Sequence, residues 1–164
     1  MNVESRPRVT AFRWIDIDGN LLSPEKSIDW YKTHNNTGFG PIVGYQWLAD
    51  GVQFKVGIDT KRTNWYELPD ASGFICFEAD REPDNCLLLD AFGHIRKRLT
   101  VPWHMTGAQT PVGVTFGNID GPYTNPVDSK MGKFGVSGWV GESKFYFELD
   151  HHTGVFLWCK RIWD

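Results

Sequence analysis

Three consecutive polar residues, Asp150, His151 and His152, come closest in this sequence to a metal or acid–base site. Imidazole nitrogens and carboxylate oxygens are zinc ligands, but a zinc site normally takes three or four of them. On an extended strand, adjacent side chains point to opposite sides, so the two histidines would not share one ion. Because the segment ends at Gly154, we interpret it as a polar hairpin loop and predict no metal and no cofactor.

Two carboxylate pairs, Asp16 with Asp18 and Glu78 with Asp80, have the i, i+2 spacing that places side chains on one face of a strand. Such pairs can perform acid–base catalysis or bind calcium, and a β-sandwich glycosidase would use them beside tryptophans. Each pair, however, lies where a predicted strand meets a turn, and turns commonly carry solvated acidic residues. We therefore predict no catalytic residues and a protein that is not an enzyme.

Acidic residues are concentrated on the stretch that follows Trp65. The residues that we predict to bind a partner are Asp70, Glu78, Asp80, Glu82 and Asp84, together with Trp65. If the strands around them pair, their charges would lie at one end of a sheet. An electronegative patch of this kind speeds association with a basic protein surface and adds specificity. The alternative is a solvated loop face, because loops carry charge without binding a partner.

Composition limits the function classes. The chain has 164 residues, of which 41% are hydrophobic, and it is predicted to form a single domain over residues 1–164. Its net charge of −3 disfavours direct binding to nucleic acid, which needs a basic face. The first residues lack the apolar core of a signal peptide, and no apolar run is long enough to span a bilayer. We therefore expect a cytoplasmic protein without membrane association.

The elements that must position these residues are predicted to be short antiparallel strands joined by turns. Asp50 and Gly51 separate two apolar runs, which is a strong signal for a hairpin. A further hairpin is predicted around the turn at residues 90–93, and a short strand over Val112–Phe116. Lys144–Leu149 and Val155–Trp163 predict a closing hairpin whose last strand is buried.

One helix is predicted, over residues 24–34. Ser23 is a good N-cap and Pro24 suits the first helical position. Many short strands with one short helix indicate a mainly β fold, either an antiparallel β-sandwich or a partly closed barrel built from hairpins.

The second half of the chain contains two stretches, Asn85–Pro102 and Phe145–Arg161, with a characteristic order of strand, polar hairpin loop and final strand. The residues that form the loop motif are Glu148, Leu149, Asp150, Thr153 and Gly154. In these stretches the chain resembles small β-rich immunity proteins of bacterial polymorphic toxin systems, including those of contact-dependent growth inhibition. The resemblance implies a cytosolic, non-enzymatic protein that binds and blocks a cognate toxin domain, frequently a nuclease with a basic cleft.

The leading hypothesis is therefore an immunity protein that neutralises a basic toxin domain by occluding its active site. Two alternatives remain open. A carbohydrate-binding or carbohydrate-cleaving β-sandwich would need exposed tryptophans, such as Trp47, Trp65 or Trp103. A metal-dependent enzyme of a barrel fold would draw its ligands from His94, His104, His151 and His152.

Overall fold

The computed structural model describes residues 6–23, 42–58, 62–78 and 83–163. The strands are β1 (Val9–Asp16), β2 (Leu21–Leu22), β3 (Ile42–Ala49), β4 (Val52–Gly57), β5 (Arg62–Glu67), β6 (Gly73–Glu78), β7 (Cys86–Asp90), β8 (Ile95–Leu99), β9 (Thr115–Asp120), β10 (Gly135–Val140), β11 (Ser143–Asp150) and β12 (Val155–Trp163). The described residues contain one short 3₁₀ helix, Trp103–Thr106. The helix predicted over residues 24–34 lies outside the described residues. In the described ranges, no helix has the length and apolar character needed to cross a bilayer.

The strands form three antiparallel sheets of four strands each. The first sheet has the order β2-β1-β3-β4, the central sheet β5-β6-β7-β8, and the last sheet β12-β11-β10-β9. None of them closes into a barrel, and the arrangement is sandwich-like. The predicted mainly β, antiparallel fold is confirmed, and of its two forms the structure adopts the sandwich.

The central sheet is covered on both faces, and β6 is buried at every position. Phe74 and Cys76 pack into the apolar cluster shared with the first sheet. Ile75 and Phe77, which point the other way, pack into the cluster shared with the last sheet. Because both faces need apolar side chains, β6 is a continuous apolar run without polar alternation.

Tight turns close the predicted hairpins. Asp50 and Gly51 both have positive φ, at 52° and 74°, and they join β3 to β4 in the conformation that Asp-Gly favours. Gly154 has a φ of 73° at the end of the loop between β11 and β12. These two hairpins and the one between β7 and β8 confirm the predictions.

Two predicted strand features are wrong. The strand predicted over Val112–Phe116 begins only at Thr115, because Val112 and Gly113 form a turn whose carbonyls accept the Gly141 N–H. The final strand β12 is not buried but lies at the edge of the last sheet, with Trp163 at 60% exposure. The buried strand of that hairpin is β11, which lies between β10 and β12.

Asn85 joins the central sheet to the last sheet. Its side chain is buried, donates from Nδ2 to the Phe116 carbonyl at 3.0 Å, and accepts the Phe116 N–H at 2.8 Å. Both polar groups of one β9 residue are thereby satisfied at the interface between two sheets, where an unpaired group would be costly. This contact fixes β9 of the last sheet against the start of β7 in the central sheet.

Candidate functional site

The predicted acidic residues lie at opposite ends of β6. Asp70 precedes the strand and Glu78 ends it, so roughly 20 Å of extended chain separates them. Asp84 follows near Glu78, whereas Asp80 and Glu82 lie outside the described residues. The described members therefore do not form one patch at one end of the sheet.

Glu78 and Asp84 are both bound by residues of β8 or its end. Glu78 is 7% exposed, and its carboxylate accepts a hydrogen bond from the Arg98 guanidinium. The same guanidinium nitrogen donates to the Asp84 carbonyl at 2.9 Å. Thr100 donates from its hydroxyl to the Asp84 carboxylate at 2.7 Å. These contacts hold the end of β6 and the residues before β7 against β8.

Trp65 is buried between the first and central sheets. Its ring stacks on Tyr45 at 5.5 Å between ring centroids and lies beside Trp47 at 5.7 Å. The backbone N–H of Trp65 donates to the Tyr45 hydroxyl at 3.2 Å. Burial raises the pKa of Tyr45 to about 12. Trp47 is also buried, and Trp103 is half-buried. Trp47 and Trp65 are thus core residues and present no surface on which a sugar could stack.

The exposed Trp163 and the half-buried Trp139 lie instead on the outer face of the last sheet. Lys144 of β11 pairs with Trp139 of β10 on one side and with Trp163 of β12 on the other. Residues that pair directly across strands share a face. The two indole rings meet edge to face at 5.3 Å. We call the following residues, which line a cleft of about 430 Å³, the aromatic patch: Tyr123, Trp139, Lys144, Ile162 and Trp163.

A buried hydrogen-bond network lies beside the aromatic patch, because Tyr146 and Glu148 share the face of β11 that carries Lys144. The Tyr146 hydroxyl donates to Glu148 at 2.5 Å, and the Lys133 N–H donates to the other carboxylate oxygen at 2.8 Å. Burial raises the pKa of Tyr146 far above its usual value, and the neighbouring Glu148 carboxylate raises it further. The Tyr146 ring also packs against Tyr123 at 5.0 Å. The segment that carries Tyr123 is therefore fixed on the sheet.

Charged groups border the aromatic patch. The Lys144 ammonium lies 3.9 Å from the Asp120 carboxylate. The same carboxylate accepts a hydrogen bond from the Tyr123 hydroxyl at 3.2 Å. An apolar centre with charged neighbours is the usual anatomy of a protein-binding surface. The sequence analysis predicts a strand that contains Trp163, but it does not predict the patch, because the patch depends on the register of three strands.

A second constellation, the histidine cluster, consists of Asp70, His151 and His152. Asp70 Oδ1 lies 3.4 Å from His151 Nε2, and Asp70 Oδ2 lies 3.5 Å from His152 Nδ1. The two imidazole rings are 4.3 Å apart between centroids. One ligand atom from each residue can be chosen so that all three lie within 4.8 Å of one another. These atoms could hold a metal ion.

The titration of the histidine cluster reflects its partial burial. Burial lowers the pKa of His151, and the nearby Asp70 carboxylate only partly opposes this. Burial also acts to raise the pKa of Asp70, but hydrogen bonds from Ser72 and the charges of both histidines outweigh it and lower that pKa. The Ser72 N–H donates to Asp70 Oδ1 at 3.0 Å.

The hairpin loop predicted at residues 150–154 is confirmed, and both histidines lie in it. The argument that adjacent histidines face apart does not apply to them, because a turn does not have the alternation of a strand. Asp70 is the member of the cluster that the sequence prediction did not connect with this loop, since it lies beside a strand of another sheet. His94 and His104 lie elsewhere, His94 beside Asp90 and His104 in the 3₁₀ helix.

Comparison with known proteins gives one informative result. No family model matches the sequence, and no curated protein matches it. The fold is similar to that of a chain in the solved structure of Tne2 in complex with Tni2. The similarity has a TM-score of 0.64 at 11% sequence identity, and it covers 94% of this chain and 99% of that chain. At this identity the likeness shows a shared fold.

Proposed function

We propose that this protein is an immunity-type inhibitor that binds a cognate toxin domain and neutralises it by occluding its active site. The observation that carries the proposal is the fold shared over nearly the whole chain with a chain of the Tne2 and Tni2 complex, which is a toxin–immunity pair. The hairpin motif at residues 148–154 supports the same class independently of the fold. In this proposal the protein is cytoplasmic, has no enzymatic activity, and acts by contact alone.

We place the toxin on the aromatic patch. Tight protein pairs depend on a few aromatic anchors, and Trp and Tyr are enriched among them. Trp163 is 60% exposed on an edge strand, and the cleft beside it offers a pocket for a side chain of the partner. The protein's net charge of −3 would attract a basic toxin domain and raise the association rate. The predicted acidic residues Asp70 and Asp84, which lie beyond opposite ends of β6, are the competing locations.

The direct test is toxicity and rescue. The full chain is expressed alone in a laboratory bacterial strain, and separately together with the toxin that co-purifies with it from the source cells. We expect normal growth for the chain alone and rescue of growth when both are present. Growth arrest by the chain alone would identify it as the toxic half of such a pair. Failure to rescue, despite stoichiometric co-purification, would contradict neutralisation.

A surface variant locates the interface. Replacement of Trp163 with Ala is expected to weaken toxin binding by about 30-fold or more, since truncation of a central aromatic anchor typically costs about 2 kcal/mol or more. The measurement is a titration of toxin by calorimetry. The matched control is Ile95→Ala, which removes a similarly exposed apolar side chain from β8 and should leave the affinity unchanged.

The same titration tests the acidic location. If Trp163→Ala binds like the natural protein while the double variant Asp70→Asn Asp84→Asn loses affinity, the partner lies on the predicted acidic residues. Repeating both titrations at high salt separates the two cases further, because screening weakens charge contacts more than aromatic contacts.

A further inference from the structure

The histidine cluster joins two segments that are far apart in the chain. Asp70 lies in the turn between β5 and β6 of the central sheet, and His151 and His152 lie in the loop between β11 and β12 of the last sheet. We propose that these three residues form a binding site for a divalent transition-metal ion of the Zn²⁺ type. The proposal does not depend on the proposed function.

The spacing of the three side chains is close to that of a tetrahedral metal site. Zinc binds imidazole nitrogen and carboxylate oxygen at about 2.0–2.2 Å, which places neighbouring ligand atoms about 3.3 Å apart. Asp70 Oδ1 lies 3.4 Å from His151 Nε2 and Asp70 Oδ2 lies 3.5 Å from His152 Nδ1, while one ligand atom from each of the three residues lies within 4.8 Å of the other two. To bind one ion, the three ligand atoms must close from separations of up to 4.8 Å to about 3.3 Å, which side-chain rotation can supply.

The chemistry of the ligands selects the class of metal. Two imidazoles and one carboxylate suit zinc and other late first-row ions, whereas calcium and magnesium prefer oxygen ligands throughout. His152 is 61% exposed, so the fourth position is open to water. Three protein ligands with one open position is an arrangement that zinc commonly adopts.

One buried nitrogen of the histidine cluster lacks a well-formed hydrogen bond. Among the described residues, His151 Nε2 is buried and has no hydrogen-bond partner, although it faces the Asp70 carboxylate. Buried polar atoms in folded proteins are normally paired, and one without a partner requires an explanation such as an ion. A metal ion between His151 and Asp70 would satisfy this nitrogen and the carboxylate together.

The loop is already held in the shape that the site needs. Arg96 donates to the His151 carbonyl, and the His152 N–H donates to Asp150 at 3.0 Å. The Phe134 ring packs against the His151 imidazole at 5.7 Å. Lys97 reaches the Gly154 carbonyl at 3.2 Å, so its charge is directed at the backbone of the loop. Supporting contacts of this kind orient metal ligands and raise metal affinity.

The consequence of binding is a cross-link between two sheets. An ion held by Asp70 and by both histidines would connect the central and last sheets at a point where no strand pairing joins them. Because the ligands are not held together in the unfolded chain, the ion would stabilise the folded state.

The test uses the full chain after treatment with a chelator, and Zn²⁺ alone as the added ion. We expect one Zn²⁺ per chain by calorimetry and a rise in Tm. With Co²⁺ in its place, we expect the visible absorption of a tetrahedral ion with imidazole ligands. Both Asp70→Asn and His152→Asn should weaken Zn²⁺ binding by at least about tenfold and abolish the rise in Tm.

The control is His94→Asn, which removes an exposed histidine elsewhere and should bind like the natural protein. Because His152 is largely exposed, its variant should keep the Tm of the metal-free protein, which separates loss of metal from loss of fold. The proposal is overturned if the natural chain binds no stoichiometric Zn²⁺. It is equally overturned if the Asp70 and His152 variants bind as tightly as His94→Asn.

Discussion

Replacement of Trp47 with Ala is expected to lower the free energy of unfolding by about 3–5 kcal/mol, the range for large aromatic residues in a core. Trp47 is 1% exposed, and its ring contacts Phe54, Trp65 and Phe74 at centroid distances of 5.6, 5.7 and 4.8 Å. Its removal leaves a cavity between the first and central sheets. These rings belong to three different strands, so the cavity cannot close by a local movement.

Two control variants separate the contributions of Trp47. Trp47→Phe keeps most of the ring packing but removes the indole N–H that donates to the Ala91 carbonyl at 2.8 Å, which should cost about 1–3 kcal/mol. Trp163→Ala removes an indole from the surface and should change stability by about 0.5 kcal/mol or less. Urea unfolding monitored by circular dichroism measures all three. Equal stability of Trp47→Ala and Trp163→Ala would contradict the packing of the two sheets.

Replacement of Arg98 with Met is expected to cost about 3 kcal/mol, because it leaves the Glu78 carboxylate buried without its cation. The Asp84 carbonyl loses a donor in the same variant. This cost lies at the low end of the range for buried ion pairs, because the Arg98 side chain is 29% exposed. In the variant, water can therefore partly replace the lost guanidinium as a partner of Glu78. Met retains the length of the side chain, so the lost stability reports on the charge and its hydrogen bonds.

A double-mutant cycle tests this explanation. Combining Arg98→Met with Glu78→Gln should recover at least half of the lost stability, because no charge then remains buried. The matched control is Arg96→Met on the same strand, whose side chain is exposed and donates to a loop carbonyl. If Arg98→Met is no more destabilising than Arg96→Met, or if the double variant recovers nothing, Glu78 is not held by Arg98 as described.

The local features of the fold could be predicted from the sequence. Asp50 and Gly51 predict a tight hairpin because their backbone accepts positive φ, and the structure has that hairpin. The hairpin predicted around residues 90–93 is also present, between β7 and β8. The burial assigned to β12 was wrong for a physical reason: alternating aromatic residues suit an edge strand as well as a central one.

The candidate sites could not be predicted from the sequence in the same way. Trp65 and Trp163 have the same chemistry and similar surroundings along the chain, yet one is 5% and the other 60% exposed. The acidic residues Asp70 and Glu78 were grouped by closeness in sequence, but the length of β6 separates them. Asp70 meets His151 instead, and nothing local to either residue indicates that contact.

By itself, the sequence determined most of the strands, the tight hairpin turns, and the alternation of side chains between the two faces of each strand. These properties follow from backbone sterics and from the two-residue period, and both act between near neighbours. The tertiary structure alone decided the order of the strands, the two covered faces of β6, and the meeting of Asp70 with His151 and His152. Those outcomes depend on which apolar faces pack together. The free energy gained by burying these faces depends on residues from the whole chain.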